Sequence, residues 1–216
     1  MVKGLFITFE GTEGCGKTTQ VQLLAERLRA LNQTCRVLRE PGGTPIGEEI
    51  RHTLKHSAEN RDMTAEAELL LMNASRAQLV REVIRPALLA GETVLCDRFY
   101  DSTIAYQGYG RGLDLSVVKA MVKFAIGDVC PDATLLLMVP LEVSEARRQN
   151  RPAGAVPERD RFEESDRDFF LRVEQGYRAI ASAEPNRVQV VDGVQCVAAV
   201  SEVIWRAVSP RLPRSD

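Results

Sequence analysis

The sequence predicts an α/β fold in which a parallel five-stranded sheet carries helices on both faces. Three observations point to it. Short runs of apolar and β-branched residues alternate with longer segments of helical periodicity, which is the pattern of a parallel sheet with crossover helices. A glycine-rich loop joins the first such run to the first helical segment. The length of 216 residues suits one domain with a substantial core.

The composition indicates which kinds of binding partner and which cellular compartment suit the chain. The chain has 28 Lys and Arg residues and 30 Asp and Glu residues. It therefore lacks the overall positive charge that is typical of nucleic-acid-binding proteins. Five cysteines without CxxC spacing predict neither a disulfide framework nor a zinc site, and they favour a reducing compartment. The N-terminus reads as part of the fold, and no apolar run approaches the roughly 20 residues of a membrane span. We therefore expect a cytoplasmic protein that binds neither nucleic acid nor membranes.

Three strands are predicted in the first half of the chain, at the apolar runs 5–9, 35–38 and 93–96. Helical spacing covers the segments 21–31, 46–54 and 65–89, and Pro86 predicts a kink or a break in the last of these. Residues 99–108 mix hydroxyl, amide and aromatic side chains, and we interpret them as a loop.

The second half of the chain continues the alternation. A helix at Leu115–Ile126 has Asp114 or Ser116 as its N-cap and Gly127 as its stop. The elements after it are strand 134–139, helix 143–150, polar loop 151–161, helix 163–183, strand 187–191 and helix 194–208. We therefore predict one domain over residues 1–209 and a disordered tail at 210–216.

Residues 11–18 read GTEGCGKT and match the pattern GxxxxGK[ST], between the first strand and the first helix. Backbone N–H groups and the positive end of the helix would hold phosphate oxygens there. Lys17 would reach the β- and γ-phosphates of ATP, and the Thr18 hydroxyl would bind Mg²⁺. The predicted ATP-binding residues are Gly11, Thr12, Glu13, Gly14, Cys15, Gly16, Lys17, Thr18 and Thr19. This context predicts a three-layer P-loop NTPase fold; the alternative is a glycine-rich turn that only caps a helix.

The interior of the loop, residues 12–15, contains no cation. Phosphoryl transfer needs positive charge where negative charge develops on the transferred group. Lys17 and Mg²⁺ supply part of that charge, so we expect another cation elsewhere in the chain. A cluster of basic residues occupies 147–161.

Asp97 and Arg98 follow the third strand, at the edge of the sheet where the phosphate loop lies. The carboxylate could act on Mg²⁺, and the guanidinium could bind a second phosphate with two hydrogen bonds. A surface salt bridge at a strand end is the alternative reading. Two phosphate sites at one sheet edge would be typical of a phosphotransferase.

Several longer motifs lie in the same order along the chain. They are FEGTEGCGKTTQ at 9–20, REPGGT at 39–44, SRAQLV at 75–80, VLCDRFYDSTIAYQGYGRG at 94–112, PDATLLL at 131–137 and DRFEE at 160–164. With these motifs the chain resembles the bacterial thymidylate kinases. The phosphate loop is shared by many families, whereas REPGGT together with DRFYDSTIAYQG is much narrower.

The resemblance implies transfer of the γ-phosphoryl group from ATP to dTMP, which gives ADP and dTDP, with Mg²⁺ as cofactor. It also implies a homodimer, for which the amphipathic region 65–89 offers a face. Two alternatives stay open. One is a kinase for another nucleotide or a deoxynucleoside, and the other is a nucleotide-dependent switch that transfers no phosphate.

The resemblance also assigns roles near the reacting phosphates. Glu13 would act near Mg²⁺ and the acceptor sugar, Asp97 beside the reacting phosphates, and Arg98 on the acceptor phosphate. Arg39 and Arg51 would make further phosphate contacts. The predicted metal ligands are therefore Thr18, Glu13 and Asp97, and the predicted catalytic residues are Lys17, Arg151, Arg161, Glu13 and Asp97.

The base and the sugar have their own predicted partners. Arg76 would bind a thymine carbonyl, and Tyr106 would pack near the sugar 2′ carbon and disfavour ribonucleotides. Ser102, Thr103 and Gln107 would line the base pocket. Helix-surface charge for Arg76 and ordinary core packing for Tyr106 are the alternatives.

The basic segment 147–161 gains a role from the resemblance, because family members without a cation inside the phosphate loop carry catalytic arginines in a mobile lid. The candidates are Arg147, Arg151, Arg159 and Arg161, with Arg151 and Arg161 preferred. Two positions depart from the family pattern. Met72 replaces a phenylalanine that stacks on the base, and Met138 replaces an aspartate at the end of the fourth strand.

Overall fold

The computed structural model describes residues 4–150 and 160–212. In those ranges the strands form one parallel sheet in the order β2-β3-β1-β4-β5. The strands are β1 (Phe6–Glu10), β2 (Cys35–Arg39), β3 (Thr93–Asp97), β4 (Ala133–Met138) and β5 (Val188–Asp192). The predicted five-stranded parallel sheet is confirmed, and each observed strand lies within one residue of its predicted position.

The helices follow the predicted alternation. They are α1 (Lys17–Ala30), α2 (Pro45–Lys55), α3 (Ala65–Leu79), α4 (Arg85–Leu89), α5 (Tyr100–Thr103), α6 (Leu115–Ile126), α7 (Leu141–Gln149), α8 (Arg167–Ala183) and α9 (Val197–Val208). None of the helices within the described ranges is both long and apolar enough to cross a membrane.

The sheet is buried on both faces. Along β1, Ile7 and Phe9 point to one side and pack with α1 and α9, whereas Phe6 points to the other side and packs with α3, α6 and α8. This alternation follows from the two-residue period of a strand. The predicted arrangement of three layers is therefore confirmed.

The register of the sheet sets the position of the site. Phe9 of β1 lies opposite Asp97 of β3, so the residues after both strands leave the sheet at the same edge. Glu10, the phosphate loop and Arg98 consequently lie next to one another, as parallel sheets require of their carboxyl ends.

Pro86 does not break the helical region 65–89. Residues Val80–Ile84 form a π-helical turn between α3 and α4, and Pro86 lies in the first turn of α4. Proline lacks an N–H and tolerates that position, so the expected kink appears as a change of helix type.

The interpretation of residues 99–108 as a loop was wrong. Tyr100–Thr103 is α-helical, and the helix continues as a π-helical turn over Ile104–Gly110. The segment is buried against α8, and a Cβ added to Gly108 would lie 2.6 Å from the side chain of Leu115. Its mixture of Ser, Thr, Gly and aromatic residues reflects this close packing rather than exposure.

Three helix starts in the second half of the chain were predicted imprecisely. α7 begins at Leu141 and not at 143, α8 begins after its cap Asp166 and not at 163, and α9 begins at Val197 and not at 194. Asp166 fixes the start of α8 because its Oδ1 accepts a hydrogen bond of 2.7 Å from the Phe169 N–H. Asp114 was one of two predicted caps, and it caps α6.

The predicted disordered tail begins too early. Ser209–Arg211 forms a turn of 3₁₀-helix, and Leu212 packs against the core that α1 and α9 share. Residues 213–216 lie outside the described residues.

Candidate active site

The phosphate loop leads from β1 into α1 and relies on glycines. Gly11, Gly14 and Gly16 have φ angles of 131°, 79° and 99°, which side chains strongly disfavour. A Cβ on Gly11 would lie 2.2 Å from the carbonyl oxygen of Leu137. The loop therefore opens its backbone N–H groups at the N-terminus of α1, where the helix dipole favours an anion.

Lys17 spans the phosphate loop. Its Nζ donates to the carbonyl oxygens of Gly11, at 3.0 Å, and Thr12, at 2.8 Å. The side chain is 7% exposed, and its ammonium group lies 3.5 Å from the Cys15 sulfur. Cys15 itself is buried in the core below the loop, as a small spacer residue would be. A phosphate would compete with the two carbonyl groups for the same ammonium group.

Thr18 and Asp97 meet across the mouth of the loop. The Thr18 hydroxyl donates to Asp97 Oδ2 at 2.8 Å. Both residues line a cleft of about 620 Å³, which Thr19 also lines. A hydroxyl and a carboxylate are the oxygen ligands that Mg²⁺ prefers. Within the described ranges no three His, Cys, Asp or Glu side chains group closely enough to hold a metal.

Arg98 lies in the same cleft, and its guanidinium contacts four side chains. Its Nη2 donates to Glu13 Oε1 at 2.8 Å and to the Tyr106 hydroxyl at 3.3 Å. The Tyr106 hydroxyl donates to Glu13 Oε2 at 2.5 Å. The other side of the guanidinium, Nη1, donates to the hydroxyls of Ser102 at 2.9 Å and Tyr177 at 3.2 Å.

The electrostatics of this cluster keep Glu13 ionised. Burial alone would raise the pKa of Glu13, but the charges of Arg98 and Lys17 lower it to about 2. Burial also raises the pKa of the Tyr106 phenol well above its usual value, so the phenol stays a hydrogen-bond donor. Glu13 is therefore an acceptor near neutral pH and no proton donor.

Arg39 and Arg51 both line the cleft, and their contact with a phosphate stays a prediction. Arg39 pairs with Glu48 at 2.9 Å, and Arg51 donates to the Pro41 carbonyl at 2.9 Å. Burial and the neighbouring Arg39 charge lower the pKa of Arg51. Two guanidinium groups this close favour an anion between them, because an anion would relieve their repulsion.

Of the lid arginines that the structure describes, Arg147 lies beside the phosphate loop. It lines the cleft and donates to the carbonyl oxygens of Gly193 at 2.9 Å and Gly14 at 3.5 Å. Arg161 lies elsewhere: it pairs with buried Glu68 and donates to the Met63 carbonyl at 2.9 Å. Arg151 and Arg159 lie outside the described residues.

The family model described as thymidylate kinase matches residues 9–204 of this sequence. The chain belongs to the thymidylate kinase family. A thymidylate kinase from Geobacter sp. (strain M21) is 53% identical over 191 residues, which cover 88% of this chain and 84% of the relative. One from Deinococcus radiodurans is 46% identical and covers 98% of this chain and 99% of its own.

Solved structures agree with the family. A crystal structure of thymidylate kinase from Ehrlichia chaffeensis superposes with a TM-score of 0.75 at 33% sequence identity. The match covers 95% of this chain and 99% of that chain. The P-loop α/β fold of this thymidylate kinase family member is thereby confirmed.

A small pocket adjoins Arg98 in this thymidylate kinase family member. A space of about 30 Å³ lies among Glu40, Pro41, Met72, Arg98, Ser102, Tyr106 and Phe162. That volume holds about one water, whereas ligand pockets measure several hundred Å³. Met72 lies at the wall of the pocket, where the motif predicts contact with the base.

Three predicted base-pocket residues lie behind this wall. Arg76 is 2% exposed, and its guanidinium pairs with Glu40 at 2.7 Å. Gln107 is fully buried and donates to Glu68 at 2.8 Å, and Thr103 is fully buried as well. They support the pocket from inside the fold, so their contact with a base stays a prediction. Ser102 and Tyr106 do reach the pocket surface.

Met138 ends β4 beside the phosphate loop. Its backbone carbonyl accepts a hydrogen bond of 2.9 Å from the Gly193 N–H, and its side chain packs against the core. The backbone supplies the polar contact at this position.

Sequence reasoning missed four residues that shape the site. Lys55 lines the cleft and pairs with Asp160 at 2.6 Å. Glu68, Glu10 and Tyr177 are buried and organise the arginines. The two carboxylates carried a signal, because Glu10 directly follows an apolar run and Glu68 directly precedes one, and a charged group buried beside such a run must be paired. Lys55 and Tyr177 carried no such signal.

Proposed function

We propose that this thymidylate kinase family member transfers the γ-phosphoryl group of ATP to dTMP, which gives ADP and dTDP. One observation carries the proposal beyond family membership. The Arg98 guanidinium lies at the end of β3, in the same cleft as the phosphate loop. Two anion-binding sites that face each other suit transfer between two phosphates, and a single-nucleotide switch needs only one of them.

The reaction follows from charge and position. The loop N–H groups and Lys17 would hold the ATP phosphates, and Arg98 would hold the acceptor phosphate in line with the γ-phosphorus. The attacking phosphate oxygen is already anionic, so the reaction needs no strong general base. Glu13, which stays ionised, orients Arg98 and Tyr106.

Mg²⁺ would be held by Thr18 and Asp97 together with phosphate oxygens. When bound, the ion supplies positive charge that neutralises the transferred group. Glu13 was also predicted as a ligand, but both of its oxygens accept hydrogen bonds from Arg98 and Tyr106. Thr18 and Asp97 therefore fit the ion better.

The further cation that the reaction requires has a candidate in Arg147, which lines the cleft beside Gly14. The catalytic roles of Arg151 and Arg161 stay predictions. In the described conformation Glu68 holds Arg161, so a catalytic role would require Arg161 to leave that partner. The cytoplasmic location also stays a prediction, which rests on the cysteine pattern.

Steady-state assays with dTMP, dUMP, dCMP and thymidine test the acceptor. We expect kcat/KM for dTMP to exceed that for each competitor by roughly ten-fold or more, since a shaped pocket discriminates by about that much per missing group. Equal values for dTMP and dCMP would contradict the thymine assignment. Calorimetry with an unreactive ATP analogue and dTMP should show both bound at once, whereas one saturable site would favour the switch.

The homodimer has a candidate face on α3 and α6. Phe124 is 80% exposed, and Val117, on the same side of α6, is 51% exposed. On α3, Leu70 is 58% exposed. Arg81, in the π-helical turn that follows α3, donates from its Nη1 to the Ala125 carbonyl of α6 at 2.7 Å. Exposed apolar side chains on two contacting helices suit an isologous interface.

Replacing Phe124 with aspartate should therefore convert a dimer into a monomer, because it places a charge at the most exposed large apolar side chain of this face. Light scattering after size exclusion measures the mass. Val203→Asp is the matched control, since Val203 is 40% exposed on α9, on the far side of the sheet. A wild-type monomer would refute the homodimer, and a dimer that survives Phe124→Asp would refute this face.

A further inference from the structure

The backbone at Arg98 is held in an unfavourable conformation. Its φ angle is 70°, in the left-handed region, which costs a residue with a side chain about 1–2 kcal/mol. Two neighbouring hydrogen bonds hold it there. The Arg98 N–H donates to the Phe9 carbonyl at 2.9 Å, and the Phe99 N–H donates to Glu10 Oε1 at 2.8 Å.

Glu10 takes the place of a helix cap. Phenylalanine at position 99 precedes α5 and has no side-chain group that could accept from the first turn. Glu10 Oε1, which comes from the neighbouring strand, accepts from the Phe99 N–H and from the Ser102 N–H at 3.3 Å. The carboxylate is fully buried. It therefore fixes the direction in which the chain leaves β3.

The second oxygen of Glu10 orders two hydroxyls. Glu10 Oε2 accepts from Ser102 Oγ at 2.5 Å and from the Tyr177 hydroxyl at 3.0 Å. The two hydroxyl oxygens also lie 2.9 Å apart. Each hydroxyl has one hydrogen. When both hydrogens point to Glu10, both oxygens turn lone pairs toward Arg98 Nη1, which donates to them.

We propose that Glu10 is a positioning residue for the acceptor phosphate, which fixes the Arg98 guanidinium through Ser102, Tyr177 and the backbone at 98–99. Glu10 is fully buried behind Arg98, so it would act without touching either substrate. The inference rests on the proposed function, because binding of the acceptor phosphate by Arg98 is part of that function.

Protonation of Glu10 should disturb this arrangement. Burial raises the pKa of Glu10 to about 7; the Asp101 charge adds to the effect and the Arg98 charge opposes it. The other titratable groups that face it are Tyr177 of α8 and Cys96 of β3. A protonated carboxyl donates a hydrogen, so one hydroxyl would have to accept it and turn its own hydrogen toward the guanidinium. Binding of the acceptor phosphate by Arg98 should therefore weaken as the pH falls below about 7.

Glu10→Gln tests the proposal, because the amide keeps the shape of the carboxyl group and places a donor where both hydroxyls donate. We expect the KM for dTMP to rise by roughly ten-fold or more, the effect of losing a charged hydrogen bond, with the KM for ATP within about two-fold of wild type. The value of kcat/KM for dTMP in the wild type, divided by that in the variant, should fall as the pH is lowered from 8 to 6, because the wild type then loses its ionised Glu10. The second ionisation of dTMP, near pH 6, occurs in both proteins and cancels in this ratio.

Glu26→Gln is the matched control, since it makes the same change at an exposed position of α1. Tyr177→Phe removes one hydroxyl and keeps the ring, and it should also raise the KM for dTMP alone. If circular dichroism shows that Glu10→Gln does not fold, the KM values of Tyr177→Phe for dTMP and ATP test the positioning role instead.

Two results would overturn the positioning role: both KM values unchanged, or equal increases for dTMP and ATP. Wild type and Glu26→Gln report on the function itself. If they form no dTDP, the proposed function and this inference fall together. If wild type and Glu26→Gln form dTDP, and Glu10→Gln and Tyr177→Phe have the same KM values as they do, the positioning role is refuted and the proposed function stands.

Discussion

Replacing Lys17 with alanine should lower the rate of phosphoryl transfer by roughly a thousand-fold or more, since electrostatic groups at the transferred phosphate contribute about that much. The structure gives the reason. Residues 12–15 carry no cation, and the Lys17 ammonium group lies over the loop, where it donates hydrogen bonds to carbonyl oxygens and a sulfur. A γ-phosphate would attract this charge away from neutral acceptors.

The measurement is kcat with saturating ATP and dTMP, alongside ATP binding by calorimetry. Lys119→Ala removes the same side chain from an exposed position of α6 and should leave kcat unchanged. A Lys17→Ala protein that is folded and keeps more than about a tenth of the wild-type kcat would show that the loop N–H groups and Mg²⁺ suffice without this ammonium group.

The sheet and the phosphate loop were predictable because their signals are local. A buried parallel strand is a short apolar run, and the loop motif needs its glycines at fixed positions between one strand and one helix. Gly11 shows the connection: its sequence spacing marks the motif, and its contact with the Leu137 carbonyl explains why no side chain fits there. Periodicity and spacing therefore sufficed for most of the fold.

The helix over Tyr100–Gly110 was missed because its causes are distant in sequence. Its first N–H groups are satisfied by Glu10, which lies 89 residues from Phe99. Its length packs against α8, as in the contact between Tyr106 and Phe169, whose ring centroids are 5.8 Å apart. Composition read locally gives a loop, and tertiary contacts override it.

In the site too, some features have local sequence signals and others depend on contacts between distant residues. Motifs identified Arg98 and Arg161 as cations, but their partners are set by the fold. Glu68, 93 residues from Arg161, holds that arginine away from the phosphate loop. Likewise, Glu40 holds Arg76 inside the protein. A sequence motif gives the type of a group, and only the three-dimensional structure shows which groups already neutralise it.

Arg98→Met should lower kcat/KM for dTMP by roughly a thousand-fold, because it removes the acceptor's cation, and it should destabilise the protein by about 3 kcal/mol. The stability loss arises from Glu13, whose side chain is 12% exposed and pairs with Arg98. Removing one partner of a largely buried ion pair leaves the other charge uncompensated. Methionine keeps much of the apolar stem, so the effect reports on the charge.

The sign of the pH dependence separates this mechanism from a packing defect. In the wild type the pKa of Glu13 is lowered from 4.5 to about 2, so its stabilising contribution is present above pH 4.5 and is lost only as the pH falls through about 2. Without Arg98 the burial effect should dominate and raise the pKa above 4.5. The ionised carboxylate then destabilises the variant. The variant should therefore lose more stability between pH 5 and pH 8 than the wild type, in which the raised pKa of Glu10 already causes some loss.

Urea unfolding at pH 5 and pH 8 measures both free energies of unfolding, and Glu13→Gln provides the matched double-mutant cycle. Adding Glu13→Gln to Arg98→Met should restore part of the lost stability at pH 8, since it removes the uncompensated charge, while activity on dTMP stays low. A single Arg98→Met variant that loses no more stability between pH 5 and pH 8 than the wild type, or a double variant with no recovery, would instead place the loss in packing around Tyr106. The ion pair would then matter for catalysis and not for the fold.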